Sequence, residues 1–383
     1  MSRPATSART RTRLAVVLAL AALLAAAVAV AGHGGRGADP ASASASARLS
    51  KARASAAMRA LEAARRAVRA PGAQAAVLQR GRLLWRGDAG VLGAGAPARV
   101  TDATRFAIAS VTKLAVAAMI LRLADQRRLR IDAPVARYVR GVPNGGRITL
   151  RMLLAHRSGL PDYFDDATIE RALADTGHRW TRGEVLAALR RLGPRSRPGA
   201  RFAYNDSNYI VLGGVIERVT RGSMERALRN LLLAPLGIRD GVSFLDPGPG
   251  LLAHGHHLRS GAARDFFPGG RPPADVVGEV WTDGGMVATA TGLARLADGI
   301  LSGRLLRPRT LRTMLGHGGY GLGVVVSGHG EREVYSHVGL YGGFSAIASY
   351  EPEQHLTVVA LVNVDSNGAA SRVGEAVEHA IDP

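Results

Sequence analysis

The sequence contains no cysteine. This absence excludes disulfide bonds, iron–sulfur clusters, zinc sites with thiolate ligands, a cysteine nucleophile and a lipid-modified N-terminal cysteine. Covalent catalysis in this protein must therefore use Ser, Thr, Lys, Tyr, Asp, Glu or His as the reacting side chain.

Lysine is also scarce. Of the 50 basic residues only Lys51 and Lys113 are lysines, and the other 48 are arginines. Because the guanidinium group of arginine does not lose its proton in proteins, a lysine kept in such a chain is a candidate base.

Acidic residues are few: 30 Asp and Glu stand against 50 Lys and Arg, a formal net charge of +20. Such an excess can attract nucleic acid or the anionic polymers of a cell envelope. The arginines are scattered, aromatic residues make up 5% of the chain, and no recognition-helix, zinc-finger or aromatic RNA-binding signature is present. We therefore expect no nucleic-acid partner and keep association with an anionic cell envelope open.

One long hydrophobic run extends from Leu14 to Ala31, after a segment with four arginines and no acidic residue. This layout is typical of a secretory signal peptide cleaved after Ala29-Val30-Ala31. Eighteen apolar residues would also suffice for an uncleaved signal anchor. We therefore predict a signal peptide or signal anchor over residues 1–31, a flexible Gly/Ala/Ser linker over 32–47, and a secreted or extracytoplasmic protein.

The remaining residues, 48–383, are enough for one large enzyme domain. Periodicity predicts a first helix over 48–69, helical patterns over 111–224 and a closing helix over 370–381. Strands are predicted by β-rich runs over 74–79, 83–86, 321–326, 333–338, 344–350 and 356–362. These patterns predict an α+β fold: an antiparallel sheet formed by both chain ends, flanked by helices, with an inserted, mostly helical subdomain.

Ser110-Val111-Thr112-Lys113 begins a predicted helix. Residues three apart lie on one face of a helix, so the amine of Lys113 can reach the hydroxyl of Ser110. The free N–H groups at a helix start could stabilise the oxyanion that forms when Ser110 attacks a carbonyl. Because the positive helix end and a dry pocket disfavour a protonated lysine, we expect Lys113 to serve as a base near neutrality.

The stretch from Phe106 to Lys113 resembles the nucleophile motif of the serine β-lactamase and D,D-peptidase superfamily. It is closest to the branch that contains class C β-lactamases, D,D-carboxypeptidases, D-aminopeptidases and related esterases. The likeness continues, in the family's order, through residues 153–163, 202–213 and 284–290, and it extends over about residues 55–380. It implies the β-lactamase/transpeptidase-like fold, which agrees with the α+β pattern.

The family's Tyr-x-Asn motif is matched by Tyr204-Asn205-Asp206. The resemblance implies that Tyr204 carries protons between nucleophile and leaving group, which a phenol can do if neighbouring cations lower its pKa. Asp206 departs from the motif, because an ionised carboxylate only accepts hydrogen bonds whereas asparagine also donates them. We therefore expect Asp206 to contact either a substrate amine or Lys113.

His337-Val338-Gly339 resembles the family's Lys/His-x-Gly strand, and the resemblance implies that His337 belongs to the catalytic set. Gly339 would then permit close approach of the substrate backbone. Leu340, the next residue, would supply the second oxyanion N–H.

Other polar residues are expected to be structural or solvated. We expect His156 to fix the loop that enters the helical region. His254, His256 and His257 lack a carboxylate at a spacing that would complete a metal site. Asp162, Asp165 and Asp166 either rim the cleft or belong to a solvated loop.

The resemblance implies a serine hydrolase that acts through an acyl-enzyme and needs no metal or cofactor. Its implied substrates are a small peptide, a β-lactam or an ester, with D-alanyl-D-alanine carboxypeptidase activity on cell-wall peptides favoured. β-Lactamase, esterase and D-aminopeptidase activities stay open, as does a noncatalytic envelope-binding relative. The sequence does not indicate the oligomeric state.

Overall fold

The computed structural model describes residues 49–163, 181–244, 252–259, 261–266, 281–330 and 333–381. The predicted leader and linker, residues 1–47, lie outside these ranges, as do Asp165 and Asp166. Within the described ranges, none of the helices combines the length and the apolar character that crossing a bilayer requires.

Ten α-helices and thirteen strands occur in the described residues. The helices are α1 (Lys51–Ala67), α2 (Thr112–Asp125), α3 (Leu150–Leu154), α4 (Arg182–Leu192), α5 (Ser207–Thr220), α6 (Met224–Leu228), α7 (Trp281–Gly284), α8 (Ala290–Leu301), α9 (Pro308–Leu315) and α10 (Ala369–Ile381). The strands are β1 (Gly72–Gln79), β2 (Arg82–Gly93), β3 (Ala96–Arg99), β4 (Phe106–Ala107), β5 (Val242–Phe244), β6 (His256–Arg259), β7 (Ala262–Asp265), β8 (Met286–Ala288), β9 (Gly319–Tyr320), β10 (Val325–Ser327), β11 (Val334–Tyr341), β12 (Phe344–Glu351) and β13 (Leu356–Val362).

The main sheet has eight strands in the order β3-β2-β1-β13-β12-β11-β10-β9. β1, from the N-terminal part of the domain, pairs antiparallel with β13, from the C-terminal part, in a register that places Ala73 opposite Val362. Both chain ends therefore build the sheet. The predicted α+β architecture is confirmed.

Two hydrophobic layers cover the sheet. On one face α1 and α10 pack over a cluster that includes Leu61, Val358 and Val373. On the other face α2, α8 and the helical region pack in a larger cluster. All seven residues of β13 are buried, because this strand lies between other strands and beneath helices on both sides.

The predicted strand over 321–326 is wrong in its bounds. The strand positions are β9, which ends at Tyr320, and β10, which begins at Val325. Between them Gly321 donates its N–H to the carbonyl of Val324 at 2.9 Å, and Gly323 has φ of +80°. This turn places Tyr320 on the outermost strand, next to the cleft.

Asn363, which directly follows β13, joins this strand to its neighbours β1 and β2. Its Oδ1 accepts the N–H of Gly72 at 2.6 Å, and its Nδ2 donates to the carbonyl of Leu92 at 2.9 Å. Asn363 is fully buried, and the N–H of Gly72 depends on this side chain for its hydrogen bond. The carbonyl of Leu92 also accepts the N–H of His254 at 2.8 Å.

Asn363→Ala should lower the free energy of unfolding by roughly 1 to 3 kcal/mol, because the buried N–H of Gly72 is left unpaired. Denaturant unfolding followed by circular dichroism measures this change. The exposed Asn367→Ala is the matched control and should unfold within about 0.5 kcal/mol of wild type. Equal stabilities of the two variants would contradict the bridging role.

Candidate active site

Ser110 lies in a tight turn between β4 and α2. The 3-10 helix Ala109–Val111 forms this turn, and Ala109 occupies the left-handed region with φ of +46°. The turn is fastened to β8, because Ile108 donates its N–H to the carbonyl of Met286 at 3.0 Å. In return the Met286 N–H donates to Oγ1 of Thr112 at 3.2 Å. The hydroxyl of Ser110 is thereby held at the start of α2, where the helix supplies free N–H groups.

Lys113 lies in the first turn of α2, three residues after Ser110, and has no solvent exposure. Its Nζ donates to Oγ of Ser110 at 3.0 Å and to the backbone carbonyl of Asp283 at 2.6 Å. It also forms an ion pair with Oδ1 of Asp206 at 2.7 Å. The spacing in the sequence thus brings Ser110 and Lys113 together, and Asp206 contacts the lysine.

The protonation of Lys113 differs from the sequence expectation. Burial by itself lowers the pKa of Lys113, but the negative charge of Asp206, followed by Tyr204 and Asp283, outweighs burial and raises this pKa above its ordinary value. In the resting site Lys113 is therefore an ammonium ion. The expectation of a neutral lysine near pH 7 is wrong because the sequence motif does not contain its carboxylate partner.

Tyr204 faces the same pocket. Its ring stacks on His156 with centroids 4.2 Å apart, and Nζ of Lys113 lies 5.1 Å from its centroid. Its buried hydroxyl forms no hydrogen bond of good geometry in the described part of the protein, although it lies near the Ser110 and Lys113 side chains, which act to lower its pKa. Burial raises the pKa of Tyr204 to about 12, although Lys113 acts in the opposite direction. The expected lowering by cations is therefore outweighed, and Tyr204 is a neutral phenol at rest.

Two loops hold this tyrosine in place. The loop before α5 donates from Nδ2 of Asn205 to the carbonyl of Leu160 at 2.8 Å. Oγ of Ser207 donates to the carbonyl of Pro161 at 2.9 Å and accepts the N–H of Tyr163 at 2.8 Å. These contacts join the Tyr204 loop to the loop that enters the helical region.

Asp206 lies immediately before α5, with its side chain 23% exposed. Its backbone N–H lies 3.3 Å from Oδ2 of Asp162, which places Asp162 beside the site. A carboxylate that contacts the buried lysine and still reaches solvent can interact with a charged substrate group.

Asp283 is a site residue that sequence reasoning missed. This buried residue accepts a hydrogen bond at Oδ2 from the hydroxyl of Tyr163 at 2.8 Å. Burial, followed by the charge of Asp206, raises the pKa of Asp283 well above its ordinary value. The available signal was its position directly before the family-like stretch 284–290.

The edge of β11 that faces away from β12 borders the site. A two-residue turn, Gly342-Gly343, with both φ angles positive, joins β11 to β12 and places Tyr341 opposite Phe344. In such a hairpin hydrogen-bonded and non-hydrogen-bonded pairs alternate, so the N–H of Leu340 faces away from β12. Pairing of β11 with β10 ends at Ser336, which leaves this edge uncovered by a strand.

Gly339 lies against the turn that carries Ser110. A Cβ added to Gly339 would overlap the carbonyl oxygen of Ile108 and would lie 3.1 Å from the backbone N of Ser110. The glycine therefore permits β11 to approach the turn that carries Ser110. The approach of a substrate backbone to Gly339 stays a prediction.

His337 and His156 both contact the hydroxyl of Tyr320. Nε2 of His156 is 3.1 Å from the Tyr320 hydroxyl, and Nε2 of His337 is 3.2 Å from it. Burial, followed by the charge of Lys113, lowers the pKa of His337 to about 3. The same two causes lower the pKa of His156 well below its ordinary value. Nδ1 of His156 accepts the N–H of Asn205 at 3.1 Å, so this histidine fastens the loop, as expected.

His254, His256 and His257 form no metal site in the described residues, where no group of three metal-ligating side chains occurs. His256 is buried, with its Nδ1 3.0 Å from the carbonyl of Asn363 and its Nε2 3.1 Å from Oδ1 of Asp265. Its surroundings are those of a structural histidine.

A model of the beta-lactamase family matches residues 58–381. Among curated proteins, the putative penicillin-binding protein PbpX of Bacillus subtilis (strain 168) is 23% identical over 282 residues, which cover 72% of this chain and 66% of PbpX. Protein flp of Staphylococcus aureus (strain N315) is 30% identical over 171 residues, 43% of this chain and 33% of flp. The chain thus spans less than two thirds of the length of either relative.

A solved structure with a similar fold is that of a D-stereospecific amidohydrolase from Streptomyces sp.. It is 27% identical, with a TM-score of 0.70, and the match covers 84% of this chain and 98% of the amidohydrolase.

Gly339→Ala should slow the reaction of Ser110 with p-nitrophenyl acetate by at least about tenfold. The reason is that the new methyl group displaces either β11 or the turn that carries Ser110. Stopped-flow release of p-nitrophenol measures the rate. Gly95→Ala is the matched control, since a Cβ at that glycine meets no atom within 4 Å. Equal rates for the two variants would show that the close approach at Gly339 does not position the site.

Proposed function

We propose that this chain, which belongs to the beta-lactamase family, is a serine hydrolase that forms an acyl-enzyme on Ser110. The observation that supports the proposal best is the 3.0 Å contact between Nζ of Lys113 and Oγ of Ser110. The buried hydroxyl of Tyr204, without a hydrogen bond of good geometry in the described structure, supports it further. A buried polar group without a good hydrogen bond lowers the stability of the folded protein, and a function at this site explains why it is present.

In the proposed reaction Oγ of Ser110 attacks a substrate carbonyl and its proton passes to the Lys113 and Tyr204 pair. The N–H groups of Ser110 and Leu340 donate to the oxyanion. When the bond to the leaving group breaks, Tyr204 returns the proton to that group. Water then hydrolyses the acyl-enzyme with the same pair acting as the base.

Lys113, Tyr204 and Asp206 form one proton-carrying unit. At rest the unit holds an ammonium ion, which Asp206 favours against burial, and a neutral phenol, which burial favours. Groups this close titrate together, so the unit must lose one proton before it can accept that of Ser110. The reaction should therefore accelerate as pH rises and the unit loses that proton.

We propose amides of D-amino acids that carry a free amino group as the substrate class. Asp206 is partly exposed, and Asp162 lies beside it, whereas Lys113, the cation that pairs with Asp206, is fully buried. A substrate ammonium group would be attracted to this surface. The likeness to the D-stereospecific amidohydrolase supports this class.

D-Alanyl-D-alanine carboxypeptidase activity on cell-wall peptides is the second candidate. The relation to PbpX, a putative penicillin-binding protein, favours it. Asp206 disfavours it, because a peptide or β-lactam carboxylate in this cleft would meet a like charge. A noncatalytic envelope-binding role is disfavoured by the close arrangement of Ser110, Lys113 and Tyr204.

We also propose that the protein is exported. The proposal rests on the basic segment and the apolar run in residues 1–31. The net charge of +20 would favour contact with anionic envelope polymers.

Ser110→Ala should abolish covalent labelling, because the hydroxyl that forms the new ester bond is lost. Intact-protein mass spectrometry after exposure to penicillin and to p-nitrophenyl acetate measures the adduct. The matched control is Ser55→Ala, an exposed serine of α1. An adduct of unchanged yield on Ser110→Ala would refute the assignment of the nucleophile.

Asp206→Asn should change both the pH dependence and the substrate preference. Without the carboxylate, burial dominates and the pKa of Lys113 falls, so the acid limb of the kcat/KM profile moves to lower pH. The preference for D-alanine amide over N-acetyl-D-alanine amide should fall on the order of tenfold, since the two differ in the charged amine. Acylation by penicillin should rise relative to that by a neutral ester.

Steady-state rates between pH 6 and 10 with both amides measure these effects. Asp132→Asn is the control, because Asp132 pairs with Arg151 at the surface. A substrate ratio that does not change in Asp206→Asn would show that Asp206 does not set the charge preference.

A further inference from the structure

Tyr320 ends β9 and joins two histidines that come from different parts of the chain. His156 belongs to the loop that enters the helical region, and His337 belongs to β11. The ring of Tyr320 also contacts His156 and Phe202, with centroids 4.8 and 5.6 Å apart. None of the motifs described above contains this tyrosine, so sequence reasoning missed it.

The hydrogen bonds that His156 and His337 make with backbone groups determine which atom donates in each contact with Tyr320. At one end the backbone N–H of Asn205 can only donate, so Nδ1 of His156 is the acceptor. The side-chain amide of Asn208, 3.1 Å from the same nitrogen, donates to it as well. The proton of neutral His156 is therefore on Nε2, which donates to the Tyr320 oxygen.

At the other end the carbonyl of Val338 can only accept. It lies 2.8 Å from Nδ1 of His337, so this nitrogen carries the proton. Nε2 of neutral His337 is then an acceptor, and the Tyr320 hydroxyl donates to it. Each contact in the series thus has one proton, and none is left over.

The charged and titratable neighbours agree with this arrangement. Lys113, the nearby cation, and burial both keep the two histidines neutral. Burial, with Tyr209, Tyr204 and Asp206 acting in the same direction, raises the pKa of Tyr320 well above its ordinary value. The Tyr209 hydroxyl donates to the carbonyl of Leu154 at 3.0 Å, so its proton is already used.

We propose that Tyr320 is a positioning residue that acts through His337. Its hydroxyl holds His337 in the Nδ1-protonated tautomer and fixes β11 relative to the loop of His156, on which Tyr204 stacks. This contact sets the distance between the Leu340 N–H and the proton-carrying pair. His337 therefore does not exchange protons with substrate, because both of its ring nitrogens are bonded within the protein. The kinetic part of the proposal rests on the proposed hydrolase function.

A double-mutant cycle tests the kinetic part. Tyr320→Phe should lower the rate of acylation by p-nitrophenyl acetate about tenfold. In a His337→Ala background the same substitution should change that rate less than twofold, because the residue through which it acts is gone. Tyr335→Phe is the matched control, since the Tyr335 hydroxyl, also on β11, donates to Glu333 at 2.7 Å. Additive losses in the cycle would overturn the coupling.

Nitrogen-15 NMR of histidine-labelled protein tests the tautomers without any substrate. We expect the proton of His337 on Nδ1 and that of His156 on Nε2, with both rings neutral from pH 5 to 8. In Tyr320→Phe the resonance of the unprotonated Nε2 of His337 should shift as its donor is lost. A proton on Nε2 of wild-type His337 would overturn the proposal even if Tyr320→Phe fails to fold. Failure of every probe to acylate wild type would refute the proposed function and leave this tautomer test intact.

Discussion

The ion pair between Lys113 and Asp206 determines the state of the whole site. A fully buried lysine would lose its proton readily, and the carboxylate at 2.7 Å reverses that tendency. The same carboxylate raises the pKa values of Tyr204 and Asp283. One aspartate in place of an amide thus leaves the resting site with an ammonium ion, a neutral phenol and a partly exposed negative charge.

The site also depends on the fit of backbone against backbone. Two short segments must come together: the turn that carries Ser110 and the edge of β11 that carries Leu340. Gly339 allows this approach, since a methyl group there would overlap the carbonyl of Ile108. The sheet built from both chain ends supports this fit, because β11 is held through β12 and β13 to β1.

Local patterns predicted local geometry well. The contact of Ser110 with Lys113 follows from helical spacing, and the strands over 344–350 and 356–362 follow from β-rich runs with clear turns between them. The protonation of Lys113 was not predictable from its motif, because the deciding partner, Asp206, comes from a distant loop. Tyr320 was missed for a related reason: Gly321 to Val326 resembles a strand in composition, while the real strands lie on either side of a glycine turn.

In the proposed reaction Asp206 also links the charge of a substrate to the protonation of Lys113. Asp206 raises the pKa of Lys113 only while its negative charge is directed at that lysine. An ammonium group of a substrate bound beside Asp206 would offset this charge, and the pKa of Lys113 would fall toward the low value that burial favours. A substrate carboxylate in the same place would have the opposite effect and keep Lys113 protonated. Substrate charge thereby acts on proton transfer as well as on binding, so it should appear in kcat in addition to KM.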